Sequence, residues 1–273
     1  MSSAISRLPG LGRLLQALGV NSVPAAGYFG EGWSVGTTLA LYWLETVAVI
    51  VLISLRIVLH RRLTRRAGHW NVGLETRTKV AGRTTVRHGK TTFLVSFLAV
   101  MIPFTAAHGL FLGLLVFLVL PEHAQAPQGI SLDDLRDGTV AMGGFLALGL
   151  LLDLVGLRER PFRWLERVAG RAQGRMFVTH LTIIFGMAAM AVWSAPAALF
   201  GVFVGLKTLL DLGGLLPDKE PSPDPPRWLA WLDGLGTSKD GLTFSAHYRK
   251  SIEDERLQRE SNERPLAPGE GAA

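Results

Sequence analysis

The sequence predicts an all-α fold, a polytopic transmembrane helical bundle of five or six spans with a cytoplasmic C-terminal tail. Of the 273 residues, 48% are hydrophobic and 18% are charged, whereas about 25% of an ordinary soluble domain is charged. The apolar residues are gathered into blocks of about 20, the length at which a helix crosses a ~30 Å hydrocarbon core. Lysine and arginine are concentrated between these blocks, as in the cytoplasmic loops of membrane proteins.

The chain divides into three predicted parts. Residues 1–36 form an N-terminal segment, either a weak span or a re-entrant or interfacial segment, because an asparagine, a proline and several glycines interrupt it. Residues 37–216 form the transmembrane bundle. Residues 217–273 form a cytoplasmic tail that is expected to be partly disordered, since it is charged and then rich in Pro, Gly and Ala over 253–273. The spans of the bundle are predicted at about 37–59, 92–120, 139–157, 176–194 and 197–216.

The first of these spans carries Glu45 near its middle. A carboxylate at that depth costs about 2.5–3.5 kcal/mol even on a lenient insertion scale, so Glu45 is expected to face other helices. The following segment, 61–90, holds nine Lys or Arg residues and a single acid, Glu75. Short loops rich in Lys and Arg stay in the cytoplasm, so this segment orients the bundle.

The next two spans also contain isolated ionisable residues. His108 lies near mid-depth in the span 92–120, and Asp153 lies toward the inner end of the span 139–157. Four acids and one arginine occupy the loop 121–138 between them, a composition that suits the outer side of the membrane.

The last two spans bring three more such groups into the bundle. The loop 158–175 contains six arginines and two glutamates, a composition typical of the cytoplasmic side. The fourth span follows it and contains His180. The fifth span contains Lys207 and Asp211. These two residues are four apart, so they share a helix face and can pair.

Six side chains are therefore the candidates for a ligand or ion pathway: Glu45, His108, Asp153, His180, Lys207 and Asp211. We expect Glu45 or His108 to lie within side-chain reach of Lys207, and Asp153 or Asp211 to lie near His180.

These groups have three interpretations. In the leading functional one they bind or pass a small polar solute, an ion or a proton, since ionisable residues inside membranes are functional by default. In the second they are buried ion pairs that only fix helix packing, and the protein is structural or scaffolds a partner. The third is an intramembrane metal-assisted enzyme with His108, His180 and Asp211 as metal ligands, but no H-x-x-x-H or H-E-x-x-H spacing lies inside a span. No catalytic residue and no cofactor is predicted.

Several classes of site and partner are excluded. The chain has no cysteine, so it forms no disulfide and no cysteine-based metal site. It has no Walker A motif, so it is not an ATP-driven pump on its own. The net charge of +6 follows from the cytoplasmic loops, so no nucleic-acid partner is predicted. The predicted partner is the lipid bilayer, with a homo-oligomer or a membrane partner left open. The histidines of the loops are expected to be solvated: His60, His69, His88 and His123.

Two short elements carry a family resemblance. They are a Y-W-x-E element at Tyr42–Glu45 and a K-T-x-x-D element at Lys207–Asp211. With Asn21, His108-Gly109 and Thr179-His180, they resemble a bacterial family of uncharacterised multi-pass membrane proteins, a domain of unknown function, over about residues 14–215. The resemblance implies a protein of the bacterial cytoplasmic membrane and groups the polar residues of the spans as one constellation. It implies no substrate and no activity.

Overall fold

The structure, a computed structural model, is predominantly helical, as the sequence predicts. It describes residues 8–70, 72–80, 83–114, 116–117, 129–193, 196–215, 222–234, 236 and 241–267. The helices are α1 (Leu8–Gly30), α2 (Val35–Thr64), α3 (Phe93–Leu114), α4 (Leu132–Leu154), α5 (Phe162–Trp193), α6 (Pro196–Gly213), α7 (Arg227–Asp233) and α8 (Phe244–Glu263). Two antiparallel strands, β1 (Val72–Val80) and β2 (Arg83–Thr91), complete the described elements.

Three of the described helices, α2, α3 and α4, are long and apolar enough to cross a membrane. Their outward faces carry large apolar side chains that are mostly exposed. Val51 of α2 is 60% exposed, Leu110 of α3 is 68% exposed and Val140 of α4 is 70% exposed. Apolar faces of this kind are typical of lipid contact, since soluble monomers rarely expose extended apolar surface.

The N-terminal segment is a single helix, α1, which continues through Pro24. It packs closely against α4, because a glycine of each helix faces a larger side chain of the other helix. A Cβ atom on Gly19 would lie 2.4 Å from the ring of Phe145, and one on Gly149 would lie 2.3 Å from the side chain of Gln16. Glycine at such positions lets two helix backbones approach, as in membrane helix pairs.

Helix α4 begins at Leu132, inside the segment that the sequence assigns to the acidic loop 121–138. The Ser131 side chain accepts a hydrogen bond from Asp134 N (3.3 Å) and caps the helix. Asp133 and Asp134 lie in the first turn, where carboxylates are favoured by the helix dipole. The acids therefore start the helix rather than precede it.

Helix α5 also begins earlier than predicted, at Phe162 rather than 176. Its arginine-rich first half is amphipathic, since Phe162, Leu165 and Ala169 are at most 4% exposed and belong to the main hydrophobic core. The apolar face of this half drives helix formation, and the arginines occupy the remaining faces. The predicted loop 158–175 is mostly helix for this reason.

The predicted basic loop 61–90 contains the end of α2, a short 3₁₀ turn at Ala67–His69 and the β1–β2 hairpin. The sequence predicts that the histidines here are solvated, and for two of them this prediction is wrong. His60 and His69 are at most 1% exposed, and His60 Nδ1 lies 2.8 Å from His69 Nε2. Burial lowers the pKa of His69 to about 3. The chain changes direction at the end of α2, at Arg65, whose backbone is left-handed (φ 48°). The side chains of His88 and His123 lie outside the described part.

The C-terminal segment packs against this end of the bundle. Glu263 accepts hydrogen bonds from the backbone amides of Phe162 and Arg163 (both 2.9 Å) and pairs with Arg66 (2.8 Å). Ala67 N donates to the carbonyl oxygen of Arg264 (2.8 Å). Residues 253–263, for which the sequence predicts disorder, belong to helix α8, and these contacts fix its C-terminal end.

Candidate functional site

Two groups of polar side chains lie inside the helical bundle. The central cluster consists of Asn21, Glu45, Arg175, Lys207 and Asp211. The arginine cluster consists of Arg13, Arg56, Asp153 and Arg160.

Lys207 is the hub of the central cluster. Its Nζ donates to Asn21 Oδ1 (2.9 Å) and to Glu45 Oε1 (3.1 Å), and it pairs with Asp211 Oδ2 at 3.2 Å. Lys207 is 5% exposed and Glu45 is 2% exposed. Two expectations from the sequence are confirmed: the pairing of Lys207 with Asp211, and the position of Glu45 within reach of Lys207.

Arg175 and Asn21 complete the central cluster; neither is among the six candidates from the sequence, although Asn21 is one of the residues that carry the family resemblance. Arg175 Nη1 lies 3.2 Å from Asp211 Oδ1 and 3.6 Å from Glu45 Oε1. Asn21 Nδ2 donates to Asp211 Oδ2 at 2.7 Å, while its carbonyl accepts from Lys207. Two cations thus face two carboxylates, and the charges balance. Burial of ions requires such pairing, because an unpaired buried charge costs several kcal/mol.

The other side of the central cluster is closed. The ring of Tyr42, which is 3% exposed, lies 5.3 Å from Lys207 Nζ. Between Tyr42, Met101, Met176 and the cluster there remains a cavity of about 10 Å³. This space holds about one water molecule at most. Four helices, α1, α2, α5 and α6, therefore meet at a compact polar contact.

The arginine cluster is built on one carboxylate. Arg56 Nε lies 3.0 Å from Asp153 Oδ2, Arg13 Nη2 lies 3.2 Å from Oδ1 and Arg160 Nη1 lies 3.6 Å from Oδ1. The Arg160 guanidinium also stacks 4.3 Å above the ring of Trp164. Asp153 therefore pairs with arginines, not with His180 as the sequence suggests. Three cations share one anion, so this cluster has an excess of positive charge.

A cavity of about 470 Å³ separates the two clusters. Its walls come from α1, α2, α4, α5 and α6, and most of the lining is apolar. Arg56 and Asp153 line one end, and Arg175 and Asp211 line the other. Glu45 and Arg56 are eleven residues apart on α2, so the clusters are separated by about 16 Å along that helix. The volume lies within the range of small-molecule sites, about 300–1,000 Å³.

His108 and His180 form a separate pair. Their ring centroids are 4.4 Å apart in an edge-to-face arrangement, and Phe104 packs 4.6 Å from His180. His108 Nε2 and His180 Nδ1 have no hydrogen-bond partner among the described residues. The expected carboxylate neighbour of His180 is absent from its described contacts. Asp211 does not join the two histidines, and the described residues contain no group of three His, Asp or Glu side chains placed to hold a metal ion.

A family match covers the whole of this site. A family of unknown function, DUF6498, matches residues 9–228. The chain belongs to this family. The DUF6498 region includes every residue of both clusters and of the cavity, and it ends before α8. No curated protein and no solved structure matches the chain. The membership agrees with the resemblance to an uncharacterised family and assigns no activity, so function is argued from the site.

Proposed function

We propose that this DUF6498 protein is a multi-pass protein of a bacterial cytoplasmic membrane that binds a small polar solute in the cavity between the two clusters. The observation that carries the proposal is the cavity itself. It holds about 470 Å³, opens to the surface of the bundle and has charged side chains at both ends. Apolar walls with a few polar groups converging on them are typical of small-molecule sites.

The proposed topology has six spans, α1 to α6. Helix α1 has 23 residues and α6 has 18, which correspond to about 34 Å and 27 Å at 1.5 Å per residue. The basic segment 61–90 and the arginine-rich first half of α5 then lie in the cytoplasm, together with the tail. Trp228 and Trp231 of α7 are 62% and 70% exposed, which suits the membrane interface on that side.

This topology places the cavity in the cytoplasmic half of the bundle. Its lining from α5 and α6, around Arg175 and Asp211, belongs to the cytoplasmic ends of these two helices. The central cluster and Tyr42 close it toward the outer side. The solute therefore enters from the cytoplasm, and its passage across the membrane would require the central cluster to separate.

The alternative is a structural protein whose buried charges only fix helix packing. The complete pairing of the central cluster favours it, because two cations face two carboxylates there. The cavity does not follow from that role. An ion-pair network that only joins helices needs neither an open cavity of this size nor charged side chains at both of its ends.

The test uses the absence of native cysteine, which makes any introduced cysteine the sole thiol of the chain. Gly174 lines the cavity and has open space around an added Cβ. Gly143, on the outward face of α4, also has open space and is the matched control. Each is changed to cysteine and reacted with a membrane-impermeant maleimide in inverted vesicles.

We expect Gly174→Cys to react at least about ten times faster than Gly143→Cys, because the reaction requires a thiolate, which forms in water and not in lipid. Right-side-out vesicles should protect Gly174→Cys. If Gly174→Cys reacts no faster than Gly143→Cys, the cavity is closed to water and the proposed solute site is wrong.

A further inference from the structure

The charges around the cavity are unequal at its two ends. The central cluster is balanced, whereas three guanidinium groups share the single carboxylate of Asp153 in the arginine cluster. A partly buried site with more cations than anions is stabilised by a bound anion, since excess charge in a low-dielectric interior is unfavourable.

Arg56 has donors that no group in the described part of the chain uses. The residue is 6% exposed and lines the cavity. Its Nε donates to Asp153, and its two Nη groups have no hydrogen-bond partner among the described residues. A guanidinium carries five N–H donors in a planar fork that matches the oxygens of a carboxylate or phosphate. These free Nη groups are therefore available to a ligand in the cavity.

The two carboxylates of the cavity, in contrast, are already paired. Asp153 receives arginines on both oxygens, and Asp211 receives Arg175 on one oxygen and Asn21 and Lys207 on the other. The cavity thus offers donors rather than acceptors to a ligand. This composition disfavours a cationic solute and favours an anionic one.

We propose that the solute is an anion with a phosphate or carboxylate group, held by the Nη groups of Arg56 within the arginine cluster. This inference rests on the proposed function, because it names the class of solute that the same cavity binds. Either a soluble anion from the cytoplasm or the headgroup of an anionic phospholipid supplies this chemistry, and the experiment separates the two.

The experiment measures how an anion changes the maleimide reaction of Leu52→Cys, because Leu52 lines the cavity one helical turn from Arg56 on α2. The soluble probes are inorganic phosphate and succinate, with sodium chloride at equal ionic strength as the control. The lipid probe is phosphatidylglycerol in phosphatidylcholine vesicles, compared with phosphatidylcholine alone. At about ten times the dissociation constant, a ligand that covers the thiol slows the reaction about tenfold by mass action.

Three variants in the Leu52→Cys background assign the effect to the site. Arg56→Gln should lose the protection, since it removes the forked donor. Asp153→Asn should bind the anion more tightly, because it frees three guanidinium groups, and protection should appear at lower concentration. Arg256→Gln removes an arginine from the exposed face of α8 and should protect like the parent.

Protection by phosphate or succinate supports a soluble anion, and protection by phosphatidylglycerol alone supports a headgroup. If no probe slows the reaction beyond sodium chloride, or if Arg56→Gln is protected as well as the parent, the inference is overturned while water access to Gly174→Cys still supports the cavity. If Arg56→Gln aggregates, Arg56→Gln with Asp153→Asn removes both partners of the ion pair. Full protection in this double variant would equally overturn the inference.

Discussion

Lys207 gives the sharpest test of the central cluster. Its ammonium group is 2.9 Å from Asn21 Oδ1, 3.1 Å from Glu45 and 3.2 Å from Asp211, and the side chain is 5% exposed. Lys207→Met keeps the length of the side chain and removes the charge. Two buried carboxylates would then share Arg175 alone. Removing one partner of a buried pair costs about 3–5 kcal/mol, and we expect a loss of this size in the free energy of unfolding.

The measurement is reversible unfolding in mixed micelles of the parent, Lys207→Met, Glu45→Gln and the double variant. The double variant should be more stable than the sum of the single losses predicts, since it leaves one carboxylate for one arginine. A coupling energy of about 1–3 kcal/mol is expected for groups in direct contact. Lys250→Met on the exposed face of α8 is the matched control and should behave like the parent. A coupling energy below about 0.5 kcal/mol would refute the contact between Glu45 and Lys207.

Three further predictions concern the rest of the bundle. The pKa of His69 is about 3 in the folded protein against 6.5 for a free histidine, so the unfolded chain takes up the proton first. The free energy of unfolding should fall by up to about 1.4 kcal/mol per pH unit as the pH drops below about 6.5. The variant His69→Gln should show a smaller dependence on pH. An equal dependence in the variant would contradict the lowered pKa of His69. Glu263→Gln should weaken docking of α8 by about 1 kcal/mol and speed its amide exchange, because a carboxylate at the start of α5 is lost; unchanged exchange would argue against the contact. Gly19→Ala should destabilise the bundle by about 1–3 kcal/mol, because its Cβ would meet the ring of Phe145, whereas Gly143→Ala has open space and should not.

The sequence predicts the parts of the site that follow from helical spacing and burial cost. Lys207 and Asp211 are four residues apart, and Glu45 needs a cation because it lies in an apolar run. The structure confirms both contacts. The first inference depends only on spacing within one helix. The second depends on the free-energy cost of burying an unpaired carboxylate, which applies to any fold.

The residues of the site that the sequence does not predict make contacts between distant segments, which no local sequence pattern indicates. The sequence assigns Arg175 to a cytoplasmic loop, because 158–175 contains six arginines before the fourth predicted span. In the structure α5 begins at Phe162, so Arg175 lies within the helix. Asn21 looked like an interruption of a weak span, yet its amide bridges Lys207 and Asp211 across 186 and 190 residues. The docking of α8 through Glu263 likewise joins distant segments. An amphipathic reading of 162–175 is the one signal that was available for Arg175.

The distance along the chain between Glu45 and Lys207 has a consequence for biogenesis. The two residues are separated by 162 positions, so at about 5–20 residues per second the ribosome adds the lysine roughly 10–30 s after the glutamate. The other cationic neighbour of this glutamate, Arg175, is added 130 positions after Glu45, so for most of that interval the nascent α2 carries a carboxylate with neither cation yet synthesised. In the proposed topology, insertion of this helix therefore depends on the translocon, or on an early neighbouring helix, to shelter the acid until its counter-ion is synthesised.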